Sequence, residues 1–379
     1  MHNETMRKIF LLVSLFCSGS VTFSQNEISI SALRFIGEKI IKNNKPFKGT
    51  TVGGLSGIDY NPDEKIFYLL SDDRSSINPA RFYTAKINFS SASIDSIEFL
   101  QVHLLLQKNG TPYPSIKENG ALTPDPESIR YNSKNKQLFW SSEGERMLRI
   151  KGNIITDPAI NIATQGGKLI DSILLPENLK MQATENGPRQ NGTLEGITFS
   201  TDFKFLFAAL EEPLFEDGPR AEVEETKSLV RIYKFDLTSK KNSAQYAYPL
   251  ERVAYPPLVT GLFIVNGISE ILFLGQNKLL IVERSFSTGR LPCTVKVFIT
   301  DLTNADNVLK IRSLKESTVK TVEKKLLLNM DDLGIYVDNI EGVTFGPDLP
   351  NGHKTLIFVS DNNFLSIEKT QFLLFEAIP

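Results

Sequence analysis

A short pattern returns at nearly constant intervals along the chain and constrains its fold more than any other feature. Each copy begins with an acid or a serine and continues into alternating β-forming residues, as in the run from Glu195 to Phe199. The successive copies lie 71, 68, 75 and 71 residues apart and begin at Ser56, Glu127, Glu195, Glu270 and Glu341. A period of this length predicts one supersecondary unit repeated five times rather than two independent domains.

Each unit contains the pattern of four strands. The first strand carries the repeat start, and the apolar second strand leads to an acid: Asp72, Glu143, Glu211, Glu283 or Asp361. Third strands are predicted at residues 81–87, 147–151, 229–237, 294–302 and 371–378. Fourth strands are predicted in four units, at residues 96–106, 168–175, 247–254 and 319–328.

The last unit lacks its fourth strand, and the N-terminal residues 28–41 have the character of that strand. Four antiparallel strands repeated radially indicate an all-β fold, a β-propeller of five four-stranded blades. Closure of the ring by the N-terminal strand would remove the exposed sheet edges. Six blades remain the alternative, because the long connections have room for an additional sheet.

The first 24 residues have the pattern of a secretory signal. Arg7 and Lys8 precede the apolar run 9–16, and small and polar residues follow as far as Ser24. Eight apolar residues are too few to span a bilayer as a helix. We therefore expect a signal peptide at residues 1–24, a single propeller domain at residues 25–379, and a periplasmic or extracellular protein without a membrane span.

Composition excludes several other classes of protein. The chain is 41% hydrophobic and 23% charged, which is too apolar for a disordered protein. A net charge of -2 gives no basic surface for nucleic acid. Of the two cysteines only Cys293 follows the signal, so a disulfide scaffold is excluded and we expect a buried free thiol.

The repeats predict a ring of acids at one end of the propeller channel. Adjacent antiparallel strands bring the start of the first strand beside the end of the second. Ten positions, nine of them acidic, would then surround one mouth of the channel. The repeat starts supply the candidate catalytic carboxylates Glu127, Glu195, Glu270 and Glu341.

Clustered carboxylates raise one another's pKa unless a cation, an arginine or a backbone N–H compensates them. A divalent cation, with calcium as the first candidate, fits the oxygen-rich side chains Asp72, Asp73, Glu143, Glu211, Glu283, Asp361 and Asn362. Three arginines are candidates for binding an anionic substrate: Arg74, Arg189 and Arg284. The alternative is that the repeated acids cap turns and connect neighbouring blades.

Histidine-dependent catalysis is nearly excluded, because no histidine is placed for a Ser-His-Asp triad or a catalytic zinc shell. The leading interpretation is a secreted hydrolase that uses carboxylates and a cation on a small anionic substrate such as a phosphoester. A non-catalytic ligand-binding propeller and a carboxylic ester or lactone hydrolase remain the alternatives.

Seven short motifs together resemble the phytase-like family, often labelled "esterase-like activity of phytase". They are 53–57 (GGLSG), 71–74 (SDDR), 125–128 (DPES), 191–196 (NGTLEG), 282–284 (VER), 339–342 (NIEG) and 360–364 (SDNNF). The similarity extends over about residues 30–375. It implies a β-propeller of a secreted bacterial protein and suggests hydrolysis of phosphoesters or esters.

Overall fold

The computed structural model describes residues 27–150 and 152–379. Five four-stranded antiparallel sheets form the framework of this part of the chain, and its one α-helix has four residues. The predicted signal peptide, residues 1–24, lies outside the described residues. No helix among the described residues is long and apolar enough to cross a membrane.

Each blade runs from an inner first strand to an outer fourth strand. Blade 1 comprises Leu55–Asn61, Ile66–Ser71, Arg81–Phe89 and Ile94–Leu104. Blade 2 comprises Pro126–Asn132, Gln137–Ser142, Ala159–Thr164 and Leu169–Ser172. Blade 3 comprises Leu194–Phe199, Phe205–Leu210, Leu229–Asp236 and Lys241–Pro249. Blade 4 comprises Ile264–Gly275, Lys278–Ser287, Thr294–Asp301 and Glu323–Asn329. Blade 5 comprises Asn339–Gly346, Lys354–Asp361, Thr370–Ile378 and Ala32–Ile41.

The N-terminal strand closes the ring, as the sequence predicts. Ala32–Ile41 pairs antiparallel with Thr370–Ile378, so the first and last strands of the propeller share one sheet. The first strands of successive blades contact one another in chain order, and that of blade 5 contacts that of blade 1. The fold is therefore a five-bladed β-propeller rather than the six-bladed alternative.

Two predicted strands are placed differently by the structure. Of the predicted strand 147–151, the described residues 147–150 do not supply the third strand of blade 2, which is Ala159–Thr164. The side chain of Ile150 is fully exposed, whereas Ile160 is fully buried, and burial between blades decides which segment joins the sheet. In blade 3 the fourth strand starts at Lys241, because a short turn after Asp236 leads directly into it.

The connections contain the remaining short elements. One hairpin is formed by Lys45–Phe47 with Thr50–Val52 and another by Glu145–Met147 with Ile154–Thr156. The helix is Ile116–Asn119, and the 3-10 turns are Glu177–Leu179, Phe215–Asp217 and Met330–Leu333.

The hydrophobic core is divided into five layers, each between two neighbouring blades, and a smaller cluster in which Leu229 and Ala247 of blade 3 pack against Val308 and Leu314. The layer between blades 1 and 2, for example, contains Tyr68 and Trp140, and the layer between blades 4 and 5 contains Val282 and Phe358. Cys293 lies in this last layer as a buried free thiol, as predicted, and burial raises its pKa to about 12. A thiol held protonated in this way is a packing group rather than a nucleophile.

Candidate functional site

A β-bulge at the start of each first strand sets the geometry of the channel mouth. In blade 3, Leu194 pairs with Leu210 and Gly196 with Ala209, so Glu195 is the unpaired extra residue. Glu341 is the corresponding residue in blade 5. A bulge turns the extra side chain away from the regular ladder, and it occurs often beside active sites.

Blade 4 has the same bulge one residue earlier than the sequence pattern suggests. Its unpaired residue is Ser269, and Ile268 pairs with Glu283, so Arg284 occupies the position that Glu211 has in blade 3. The prediction that Glu270 and Glu283 belong to the ring is therefore wrong by one position. A shift of one residue matters because successive side chains of a strand point to opposite faces of the sheet. The mouth presents seven acids, two serines and one arginine: Ser56, Asp72, Glu127, Glu143, Glu195, Glu211, Ser269, Arg284, Glu341 and Asp361.

Glu270 lies inside the channel and is fully buried. Its carboxylate is 2.8 Å from Nη2 of Arg130 and accepts hydrogen bonds from the Ser128 hydroxyl at 3.0 Å and the Ile271 amide at 2.9 Å. A carboxylate with this many partners is part of the architecture rather than a free catalytic group.

Arg130 connects several blades across the channel. Its guanidinium donates to the backbone carbonyl of Ile58 in blade 1 at 2.6 Å, Ile271 in blade 4 at 3.0 Å and Val343 in blade 5 at 3.2 Å. Together with Glu270 it fills the centre of the ring, below the mouth.

Glu283 lies between blades 3 and 4 and has no free lone pair directed to the mouth. It accepts hydrogen bonds from the Tyr248 hydroxyl at 2.6 Å, Lys324 Nζ at 2.9 Å, Asn266 Nδ2 at 2.7 Å and the Glu251 amide at 3.0 Å. Its predicted role as a metal ligand conflicts with this arrangement.

Two further predicted ligands are occupied by structural bonds. Asp73 is paired with the buried Arg81 at 2.7 Å and accepts three backbone N–H groups of the following turn, from residues 76–78. Asn362 Oδ1 accepts the Gly54 amide at 2.9 Å and so connects blade 5 to the loop that enters blade 1. Both side chains stabilise loops at the mouth.

Two of the three predicted substrate-binding arginines lie at the mouth but are already paired. Arg284 donates to Glu211 at 2.5 Å and to Glu341 at 2.9 Å. Arg74 donates to Glu145 at 2.6 Å and lies 3.3 Å from Asp125. Each arginine therefore holds two carboxylates in place.

Arg189 has a different position from the one predicted. Its guanidinium donates to the carbonyls of Pro213 and Gly218, both at 2.9 Å, and lies over the Phe215 ring at 4.3 Å from the centroid. It organises the loop after the second strand of blade 3, and it makes no ion pair with the mouth acids.

Three acids of blade 2 converge on one point of the mouth. One carboxylate oxygen each from Asp125, Glu127 and Glu143 lies within 4.8 Å of the others. Asp125 is absent from the sequence-predicted set, although the Asp-Pro-Glu run places it two residues before a repeat start. Glu143 accepts the Thr193 amide at 2.6 Å, and Asp125 lies beside Arg74.

Two ring glutamates have no hydrogen-bond partner. Among the described residues, none donates a hydrogen bond to the carboxylate of Glu127 or Glu195, although their exposed fractions are only 9% and 7%. Burial, and then the neighbouring carboxylates, raise the pKa of both groups well above the usual value. The same causes raise the pKa of Asp125 to about 6, and burial raises that of Glu341 to about 7 against the opposing effect of Arg284.

This set of residues fits a hard divalent cation. Three carboxylate oxygens converge on the point between Asp125, Glu127 and Glu143, and calcium and magnesium prefer oxygen ligands. Nearby, Oδ1 of Asp72 is buried without a hydrogen-bond partner, and burial and Asp361 raise the pKa of this group well above the usual value. Excess negative charge of this kind is what a bound cation would offset.

Solved propeller-containing structures show weak overall similarity to the chain. The endo-arabinase of Bacteroides thetaiotaomicron is 9% identical with a TM-score of 0.45, over 90% of this chain and 98% of that one. The periplasmic gluconolactonase of Pseudomonas aeruginosa is 11% identical with a TM-score of 0.36, over 87% of this chain and 90% of that one. No curated protein sequence matches the chain.

The sequence itself matches one family model over most of its length. The match covers residues 50–364, from the loop before blade 1 to just after the second strand of blade 5, and so includes every ring position described above. The chain therefore belongs to the Phytase-like family, described as "Esterase-like activity of phytase".

Proposed function

We propose that this protein is a divalent-cation-dependent hydrolase that cleaves phosphoesters at the acidic mouth of the propeller. The observation that carries the proposal is the convergence of Asp125, Glu127 and Glu143 within 4.8 Å, with the Glu127 carboxylate unpartnered. Membership of a family described by esterase-like activity supports a hydrolytic reaction. Calcium is the first candidate for the cation, because it accepts several carboxylate ligands in irregular geometry.

The three acids of blade 2 would hold the cation. When bound, it would supply positive charge that polarises the scissile ester and balances an anionic substrate. Arg74 keeps Asp125 and Glu145 in position through its ion pairs, so the rigid side of the site is built by blades 1 and 2.

Glu195 is suited to moving a proton in the same site. Its raised pKa means that it retains a proton at a pH where an exposed glutamate has lost it. It can thus donate a proton to the leaving oxygen as the ester bond breaks, and the carboxylate left behind can take up a proton from the water that adds. Arg284 fixes Glu211 and Glu341 beside it and thereby restrains the geometry of the ring.

Hydrolysis of a carboxylic ester or lactone is the second candidate, and the arginines favour it. Arg74 and Arg284 are both engaged in ion pairs, and Arg189 binds loop carbonyls. The charge of a phosphate would therefore depend on the cation alone, whereas a neutral ester requires less compensation.

Chelation combined with an isosteric substitution tests the proposal. The mature protein is treated with EDTA and assayed on a phosphomonoester, a phosphodiester and a carboxylic ester, with and without added calcium. Calcium binding is measured in parallel by isothermal titration calorimetry. We expect calcium to restore turnover, and Glu127→Gln to abolish both turnover and calcium binding.

Glu64→Gln is the matched control, because this exposed glutamate lies in the turn at the opposite end of blade 1. It should leave turnover and calcium binding unchanged. Turnover that survives chelation and Glu127→Gln would refute the cation-dependent site. Calcium binding without turnover on any ester class would instead indicate a binding propeller.

A further inference from the structure

A cavity of about 210 Å³ opens beside the mouth between blades 4 and 5. One side is formed by ring residues, since Glu211 and Arg284 line it. Four apolar side chains, Phe263, Val265, Phe286 and Leu291, also line it, alongside polar groups of blade 5 that include Asp338, Asn339 and Glu368. The cavity therefore adjoins the ring at Glu211 and Arg284 and adds an apolar surface that the ring positions lack.

The apolar wall extends outward onto an exposed rim. The loop before the first strand of blade 4 leaves large hydrophobic side chains in solvent, with exposed fractions of 67% for Leu258, 61% for Val259 and 55% for Phe263. Leu291, on the next connection, is 47% exposed. Clustered exposed apolar groups beside a polar site are typical of ligand-binding surfaces.

This rim is held in place by the backbone. Leu258 N donates to the Thr288 carbonyl at 3.1 Å, and Thr288 N donates to the Phe263 carbonyl at 3.0 Å. Leu258 also packs over Gly289, where a Cβ atom would approach it to 2.8 Å. The hydrophobic side chains are thus presented by an ordered loop, which is what a preformed binding wall requires.

We propose that this pocket receives the apolar part of the substrate, an aryl ring or a chain of about seven carbons, while the ester group lies at the acidic mouth. The inference rests on the proposed function, because it names the substrate class of the same site. The size supports it: an apolar cavity of about 150 Å³ accommodates benzene, and about 30 Å³ per non-hydrogen atom gives room for roughly seven. Because the ring residues Glu211 and Arg284 line the pocket, a substrate whose apolar part is seated there would extend its ester group towards the mouth.

A chain-length series tests the pocket. Alkyl phosphates and ethyl esters of linear fatty acids with one to ten carbons are hydrolysed under calcium, and kcat/KM is measured for each. We expect kcat/KM to rise about fourfold per methylene until the pocket is full, and then to level off. Phe263→Ser and Leu291→Ser should flatten the rise. Leu174→Ser, which removes a 66%-exposed leucine elsewhere, should leave the series unchanged.

A binding measurement separates this proposal from the proposed function. Octylphosphonate and octanoate, which cannot be hydrolysed, are titrated into the protein by calorimetry beside their two-carbon analogues. Tighter binding of the longer compounds, lost in Phe263→Ser, would support the pocket even if no ester is turned over. A flat series in both experiments would overturn it. A third outcome would instead assign the rim to binding a lipid surface. In it the series is flat, the protein sediments with phosphatidylglycerol vesicles, and Leu258→Ser abolishes that sedimentation.

Discussion

Glu270 and Glu195 lie on the inner strands of adjacent blades, and both are almost completely buried, yet their surroundings differ. Glu270 is paired with Arg130 and accepts hydrogen bonds from Ser128 and its own neighbour's amide. Glu195 receives no hydrogen bond from the described residues, and burial and then the neighbouring carboxylates raise its pKa against the opposing charge of Arg284. Burial alone therefore does not distinguish a structural carboxylate from a functional one in this propeller. The partners do.

The largest effect on stability is expected when the arginine at the centre of the ring is replaced. Arg130→Met leaves Glu270 buried without a counter-charge and removes the donor for carbonyls of blades 1, 4 and 5. We expect the free energy of unfolding to fall by about 3–5 kcal/mol, measured by urea denaturation. The double variant Arg130→Met with Glu270→Met should recover most of the loss. A single-variant loss below about 1 kcal/mol would contradict a central ion pair that holds the ring together.

At the mouth we expect a substitution to reduce activity without reducing stability. Glu195→Gln keeps the shape of the side chain but removes the exchangeable proton, so turnover should fall by about a hundredfold or more. The unfolding midpoint should stay the same or rise, because one of several repelling carboxylates is gone. Assays of kcat and thermal unfolding on the same preparation measure both. A variant that loses stability in proportion to activity would place Glu195 with Glu270, among the structural acids.

The sequence predicts the blade architecture well, because the period of the repeat and the alternation of apolar residues are what close a propeller. It misplaces two of its ring acids for a local reason. In the sequence, Glu270 has the residue type expected at a repeat start. The bulge of blade 4 nevertheless falls at Ser269, so the strand register places Arg284 rather than Glu283 at the mouth. Strand register depends on pairing across the sheet, which the order of residue types in a single strand does not reveal.

Hydrogen-bond partners are the other part of the site that the sequence does not reveal. Asp73 and Asn362 have the residue types of calcium ligands, but contacts with distant segments, Arg81 and Gly54, occupy their oxygens. Asp125, in contrast, joins the acidic cluster only because Pro126 begins the strand beside it. These hydrogen bonds and ion pairs arise from tertiary packing and form only when the blades are assembled.

A smaller effect is expected where the glycine after the bulge meets the next blade. A Cβ atom at Gly196 would lie 2.7 Å from the Ile271 amide and 2.8 Å from the Glu270 carboxylate. Gly196→Ala should therefore destabilise the protein by about 1–3 kcal/mol through overpacking of the channel. Gly166→Ala is the control, since the nearest atom to its Cβ is a flexible threonine hydroxyl at 3.7 Å. Equal unfolding midpoints in urea for the two variants would show that the channel is wider than described.

The smallest expected effect is the response of the metal-free protein to pH. The pKa of Asp125 is raised to about 6 and that of Glu341 to about 7, so the folded state binds protons more tightly than the unfolded state. The stability that this provides is complete below about pH 4 and is lost as the pH rises through 6 and 7. In EDTA, thermal unfolding should accordingly occur at lower temperature at pH 8 than at pH 5.

Calcium should act against that trend, because its ligands must be deprotonated to bind it. At ten times its dissociation constant it adds about 1.4 kcal/mol, and this gain should be realised at pH 8 and shrink towards pH 5. Thermal unfolding of wild type and Glu127→Gln, with EDTA and with calcium, measures the difference at each pH. If calcium shifts the midpoint equally at all pH values, or shifts that of Glu127→Gln, the cation does not bind the blade 2 acids. The unpartnered carboxylates of the mouth would then be compensated by protons alone. Because burial also raises the pKa of Glu270, to about 8 against the opposing effect of Arg130, hydrogen-bond partners would be all that distinguishes it from them.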